Sequence, residues 1–388
     1  MLIAVWTVFL LFTLFLLGSA VGSFLNVCIV RLPQGRSLIR PASCCGHCRA
    51  PIRSRDNIPL LSYWLLRGRC RACGTPFSMR YFWIELLTGF VFLFIYHFEI
   101  ARNIHQFEVW SWYENNYEYV LMRMFDPQPW LVFSVHALLA CFLIVATMCL
   151  WEQGRVPGSV TLWGVSLGLS ASLLFPWPWP DAPAQAVIDA SGNRIVFGGE
   201  RKAYSWGPRI GAMPSDSPWW LGDVTPRQGL YSWPVWGPPP SRLPAGSRRL
   251  GLLTGVAGIV AGAVLMGLVR LSFNVGVGTR KMGWGETNLM MIAGGFLGWQ
   301  PIVVAVLLAL VPGLPTATRR QVSLAWWLTA AVVAVWFGWF WIGPLVQGLF
   351  FNERRLLILP VVFTVLLLAF SFCLRRAALA RRSAPTSA

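Results

Sequence analysis

Long apolar runs divide this chain, near residues 2–30, 82–98, 130–151, 159–176, 250–273, 288–313, 323–346 and 356–374. Each suits a helix crossing the hydrocarbon layer, which takes about 20 residues. The pattern predicts an all-α fold, a polytopic transmembrane helix bundle. The run from Leu2 to Val30 carries no charge. It has no basic stretch before it and outlasts a signal-peptide core by about 10 residues, which predicts a retained first span.

One run is divided internally. Gly294, Gly295, Gly298 and Pro301 fall in the middle of 288–313, which reads either as one long helix or as a hairpin of two short ones. A single span would put Arg375, Arg376, Arg381 and Arg382 outside, whereas a hairpin keeps them inside with Arg319 and Arg320. Basic residues favour the cytoplasmic side, so the hairpin is preferred, giving roughly nine membrane segments rather than eight. The organisation is then a first span at 1–30, a polar loop domain at 31–81 and further spans within 82–176. An insert at 177–249, a second block of spans at 250–374 and a basic tail at 375–388 follow.

The insert is rich in Pro, Gly and Trp, as in Trp177-Pro178-Trp179-Pro180 and Gly237-Pro238-Pro239-Pro240. Such stretches deny it long regular helices. It reads as an external loop with little fixed structure, with short strands predicted around Arg194 to Phe197.

Composition agrees with the membrane reading: of 388 residues, 56% are hydrophobic and only 12% charged. The formal net charge of +17 raises nucleic acid as a partner. The basic residues instead fall in short loops beside spans, where they fix topology and meet anionic membrane lipid, so no nucleic-acid role is expected. The loop at 31–80 holds ten arginines and one acid, Asp56, and is expected in the cytoplasm with the N-terminus outside. The stretch 99–129 has Glu99, Glu108, Glu114, Glu118 and Asp126 against two arginines and reads as external. The location expected is a cytoplasmic membrane crossed many times.

The Arg-rich loop also carries two CxxC pairs, Cys45-Gly46-His47-Cys48 and Cys70-Arg71-Ala72-Cys73. Four thiolates at this spacing close a tetrahedral zinc site, and four sulfur ligands leave no open position, so the zinc is structural rather than catalytic. Cys44 and His47 are competing ligands. Cys28, Cys141, Cys149 and Cys373 are scattered in apolar runs, where a thiol acts as a small hydrophobe. A reducing setting for the loop follows.

Around this loop the sequence resembles the N-terminal region of the bacterial prepilin peptidases, the type IV leader peptidases. Gly22-Ser23-Phe24-Leu25-Asn26-Val27 and Arg31-Leu32-Pro33 carry the likeness, with Asp56-Asn57-Ile58-Pro59-Leu60-Leu61-Ser62 after the first Cys pair. Leu66-Arg67-Gly68-Arg69-Cys70, Arg80-Tyr81 and Glu85-Leu86-Leu87-Thr88 complete it over about residues 18–90. The resemblance implies a membrane protease with two aspartates at the cytoplasmic face, one in an Asp-x-Asp/Glu segment before a proline and one ending Gly-x-Gly-Asp. Here these look like Leu150-Trp151-Glu152-Gln153-Gly154-Arg155-Val156-Pro157 and Lys281-Met282-Gly283-Trp284-Gly285-Glu286. Leu150 stands in the leading acidic position, Glu152 in the second, and Glu286 replaces the final aspartate.

The resemblance further implies a prepilin or pseudopilin substrate whose basic leader precedes a hydrophobic helix, with the Arg-rich loop positioning its cytoplasmic part. Methylation of the new N-terminus by S-adenosylmethionine is implied as a second activity. Glu152 and Glu286 each lie at a same-side membrane boundary. Paired carboxylates share a proton, so one serves as general base on water while the other protonates or polarises the carbonyl. Gly283 and Gly285 would let backbone approach and permit a strained turn. On sequence alone, Glu286 also reads as an acid favoured by a helix N-terminus, and Glu152 as a surface partner of Arg155. A glutamate reaches one methylene further than an aspartate, which leaves a second reading: a relative that binds pilin-like helices in pilus or type II secretion assembly without cutting. His97, His105 and His136 show no metal-ligand spacing, and Glu85, just inside the second span, reads either as facing the bundle interior or as a boundary residue.

Overall fold

The computed structural model describes residues 2–40, 42–101, 127–174, 185–188, 194–198, 202–204, 248–277, 282–320 and 324–350, with parts of 360–372. The described helices are α1 Leu2–Arg31, α2 Leu61–Leu65, α3 Arg80–Ile95, α4 Pro127–Gln153, α5 Gly158–Leu174, α6 Arg248–Val277, α7 Gly285–Leu297, α8 Trp299–Arg320 and α9 Leu324–Phe350. Four of these regions are long and apolar enough to cross a membrane: Val5–Gln34, Arg80–Ala101, Trp130–Gln153 and Arg248–Val275. Shorter apolar helices occupy Gly158–Leu174, Trp299–Gly313 and Leu324–Trp339. Among the described residues the chain is thus predominantly helical, with membrane-spanning candidates where its apolar runs predict them.

Two compact units divide it. The first contains α1 to α4. Here α1 and α3 run antiparallel with backbones almost touching: a Cβ built on Gly18 would fall 2.8 Å from the Thr88 carbonyl, and one on Gly22 2.8 Å from the Glu85 Cα. Gly89 answers from α3, where an added Cβ would meet Ser19 Oγ at 2.6 Å. Small residues four apart permit this approach, and dispersion between close backbones supplies the attraction that lipid cannot. Aromatic rings join α3 to α4, Phe92 meeting Phe133 edge-on at 5.5 Å and Tyr96 stacking on Trp130 at 6.0 Å.

Helix α3 continues into a π-helical turn, Tyr96–Ala101. This carries Glu99 inward rather than into an external loop. Its carboxylate lies 2.7 Å from His136 Nδ1 of α4, with both side chains closed off from solvent. A buried charge needs such a partner, and a π turn shifts side-chain direction enough to find one. The remaining acids of the stretch, Glu108, Glu114, Glu118 and Asp126, lie outside the described residues.

The second unit holds α5 from Thr161 onward together with α6 to α9. Gly258 and Gly262 of α6 press against α7 at Gly294 and Met290, and Gly164 and Gly168 of α5 press against Ile292 and Gly295. Ser172 Oγ of α5 donates to the Gly295 carbonyl at 2.8 Å. The 288–313 run is broken at Gly298, whose φ of 79° ends α7 before α8 begins. That conformation suits glycine because it lacks a Cβ. Buried Phe296, Leu328, Val332 and Trp336 fill the core of this unit.

Within the insert three short strands, β1 Gln185–Ile188, β2 Arg194–Gly198 and β3 Lys202–Tyr204, form an antiparallel sheet in that order. Ile188 pairs with Arg194, and Val196 with Tyr204. The strand predicted around Arg194 is present, and the rest of the insert and the basic tail lie outside the described residues.

Gly258→Val tests the glycine contact, because the added side chain lands on the Gly294 backbone. Overpacking of this kind costs about 1–3 kcal/mol. Thermal unfolding of the detergent-solubilised protein is expected at a lower temperature than for the parent chain.

Candidate functional site

The two CxxC pairs fold into turns of the same design. In the first, Cys45 N–H donates to the Ala50 carbonyl at 2.9 Å and Arg49 N–H to the Cys45 carbonyl at 3.1 Å. In the second, Cys70 N–H donates to Thr75 and Gly74 N–H to Cys70, both at 2.9 Å. The residue after each second cysteine is left-handed: Arg49 has φ 62° and Gly74 φ 70°. Isolated bridges, Cys44 with Pro51 and Arg69 with Pro76, close the base of each turn.

These turns bring four sulfurs together. Cys45 Sγ lies 3.9 Å from Cys73 Sγ, and Cys48 Sγ lies 4.0 Å from Cys70 Sγ, with all four within 4.8 Å of one another. A tetrahedral zinc with Zn–S of about 2.3 Å sets its sulfurs about 3.8 Å apart, so the quartet fits that ion. Cys44 and His47 are not members of the cluster. Thr75, through its hydroxyl and amide, holds the Cys73 thiol down to about 6, and the amides of Cys48 and His47 lower Cys45. For Cys48 the Ala50 amide favours the thiolate, but the crowding thiol of Cys73, burial and the other two cysteines outweigh it and push Cys48 up to about 11. Four thiolates cannot crowd together without a cation to neutralise them.

The loop is pinned at both ends of its fold. Asp56 accepts from Arg71 Nη2 at 2.6 Å and from Arg71 Nε at 2.9 Å, tying the turn Ser54–Asp56 to the second Cys pair. Arg71 holds the Asp56 carboxyl below the usual carboxylate range. Glu85 of α3 accepts the Leu60 N–H at 2.7 Å, so it anchors the loop to the start of α3. Asn26 of α1 donates to the Tyr81 carbonyl at 3.1 Å.

Glu152 ends α4, and its partner is Arg80 rather than Arg155. Arg80 Nη1 lies 2.6 and 2.5 Å from the two carboxylate oxygens. The pair is partly covered, with side-chain exposures of 18% for Arg80 and 28% for Glu152. Beside it Gln153 Nε2 donates to the Ile29 carbonyl at 3.4 Å. Leu150, in the position where an acid was expected, is buried in the apolar core.

Glu286 sits half-buried in the first turn of α7 in the second unit, whereas Glu152 belongs to the first. The segment before it is clamped by α6. Arg270 Nε donates to the Met282 carbonyl at 3.0 Å, and Asn274 Oδ1 accepts the Met282 N–H at 2.7 Å. The Arg270 guanidinium also covers the Trp284 ring at 3.7 Å from its centroid. Neither Gly283 nor Gly285 has a positive φ, so the strained turn expected there is not formed. A Cβ on Gly283 would come no nearer than 3.7 Å to the Gly154 carbonyl, an ordinary contact, while Gly285 is buried.

The roles of Arg80, Arg270 and Asn274 have no local sequence signal, because their partners are remote or belong to backbone. Only the spacing of 270 and 274, one helical turn apart, hints that both face one loop.

Fold and site define a polytopic helical membrane protein with a four-thiolate loop between its first two spans. Residues 16–98 match the Bacterial Peptidase A24 N-terminal domain. The prepilin leader peptidase/N-methyltransferase of Myxococcus xanthus is 54% identical over 79 residues, covering 20% of this chain and 24% of the relative. Those of Klebsiella pneumoniae and Neisseria gonorrhoeae are 54% and 45% identical, covering 21% and 20% of this chain and 38% and 35% of theirs. The matched region thus spans between about a quarter and two fifths of these relatives' length. No solved structure gives a significant match.

Substituting Cys45→Ser and Cys70→Ser together is expected to abolish a stoichiometric zinc measured by mass spectrometry of the purified protein. Retention of the ion would contradict the four-sulfur site. Asp56 yields a pH test. Because Arg71 lowers its folded pKa, the pair stabilises the loop above the ordinary carboxylate value of about 3.9 and is lost as pH falls through the lowered one. Asp56→Asn is therefore expected to speed proteolysis of the loop by thermolysin at pH ~7, and its difference from the parent chain in digestion by pepsin is expected to shrink as the pH is lowered.

Proposed function

We propose that this chain is a membrane-embedded leader peptidase that cleaves prepilins or pseudopilins at the cytoplasmic face. The observation that carries the reading is a stretch of 79 residues that is 54% identical to a prepilin leader peptidase/N-methyltransferase. The many apolar helices support it, since the substrate joins a short basic leader to a hydrophobic helix that enters from the bilayer. The N-terminus lies outside, the Cys loop faces the cytoplasm, and 288–313 enters and leaves on one side.

Glu152 and Glu286 are its acid and base, making it an aspartic-type endopeptidase with glutamates in the working positions. One carboxylate takes a proton from water as the oxygen attacks the scissile carbonyl. The other donates its proton to the leaving amide nitrogen as the C–N bond breaks, and the proton inventory of the pair is restored. Arg80 fixes the Glu152 carboxylate, and the hold of Arg270 and Asn274 on Met282 positions the turn that leads into Glu286. Their work is orientation, which matters because a misplacement of about 1 Å can cost about 100-fold in rate.

Cys45, Cys48, Cys70 and Cys73 would hold Zn2+, whose contribution is to staple the loop, since a closed four-sulfur shell leaves no site for substrate. Methylation of the new N-terminus, in keeping with the relatives' names, would draw on S-adenosylmethionine. No group of described residues marks a seat for that cofactor, and no step here runs through it.

Co-expression with a candidate prepilin, read by mass spectrometry of the pilin, tests the assignment. Glu152→Gln and Glu286→Gln are each expected to slow leader removal at least ~100-fold while zinc content is unchanged. Undiminished processing in either variant would remove that residue from the catalytic pair.

A further inference from the structure

The short helix α2 turns its apolar side outward. Leu61, Trp64 and Leu65 occupy positions i, i+3 and i+4, one face of a helix, and are 57%, 60% and 67% exposed. Its other side is committed to the protein: Tyr63 packs edge-on against Phe77 at 5.5 Å, and the Ser62 hydroxyl is buried. An outward apolar face on a polar loop is unexpected in water, and three large side chains held together call for a partner.

Depth identifies that partner. Trp64 meets Phe82 at 5.7 Å, and Phe82 meets Trp83 at 5.4 Å, both in the first turn of the membrane helix α3. Glu85, one turn further along, takes the Leu60 N–H just before α2 begins. These contacts fix α2 beside the end of a span, at the level where hydrocarbon gives way to headgroups and where Trp is favoured. Charge points the same way. Arg67 and Arg69 follow α2, Arg53 precedes and Arg55 lies within the turn that packs on it, and all four are exposed. The loop holds a single acid, and Arg71 already occupies it. The resemblance implied that this loop positions a substrate's basic leader, but its exposed arginines would repel such a peptide, whereas anionic headgroups are their complement.

We propose that α2 is an interfacial anchor, with Leu61, Trp64 and Leu65 inserted at the boundary of an anionic leaflet and the flanking arginines on its headgroups. The anchor would hold the zinc loop flat on the membrane. It rests on the membrane placement of α3 and not on peptide cleavage, so either could fail without the other.

Hydrogen–deuterium exchange of residues 58–67, in the full-length protein reconstituted into nanodiscs, tests it. In discs with about 30% phosphatidylglycerol the exchange is expected to be at least fivefold slower than in pure phosphatidylcholine discs. The difference should vanish in Leu61→Ser/Leu65→Ser with the zinc content of the parent. Should that variant lose its metal, salt decides on the parent protein: raising it from about 0.05 to about 0.5 M must remove most of the slowing. Equal exchange in the two kinds of disc would overturn the proposal. So would slowing that appears only when a prepilin leader peptide is added, which would make the face a substrate surface.

Discussion

The backbone contact between α1 and α3 is the constraint on which the N-terminal unit depends. Gly18, Gly22 and Gly89 bring the helices so near that any larger residue would force them apart. Asn26 then reaches the Tyr81 carbonyl, and the ends of the 31–80 loop are fixed side by side. From that base the chain has only to return on itself twice, and each return is a CxxC turn. The sulfurs meet because the helices meet. A bound zinc would lock an arrangement that the helix pair has already made easy to reach.

Electrostatics in this unit is carried by arginines with separate partners. Arg71 closes on the one acid of the loop, Arg80 reaches across to Glu152 at the end of another helix, and Arg31 donates to the Ser37 carbonyl. The arginines around α2 face outward instead. The same residue type thus folds the loop, orients an acid and presents charge to the membrane. The guanidinium suits all three, since its planar fork can grip a carboxylate while staying charged.

The fold was legible where its signals are local. Apolar runs announced the helices, Gly298 the break inside 288–313, and Arg194 to Phe197 a strand. The CxxC spacing marked the sulfur cluster, because each pair is folded by hydrogen bonds within six residues. What the sequence hid were pairings between distant segments: Arg80 with Glu152, Glu99 with His136, and the grip of Arg270 and Asn274 on Met282. Position along the chain says nothing of such partners, and Arg155 looked the better mate for Glu152 only because it is near in sequence. The glycines of the Gly-Trp-Gly-Glu turn were valued for a strain that is absent. Those at 18, 22, 258 and 262, spaced four apart, carry the close contacts.

Whether this chain cuts decides its function. The most direct measurement is incubation of the purified, zinc-loaded protein in proteoliposomes with a full-length prepilin, followed by intact mass analysis of the pilin. The proposed cleavage yields a new species lighter by the leader alone, with the hydrophobic helix beginning at its N-terminus. A prepilin that binds the protein yet keeps its full mass would contradict it.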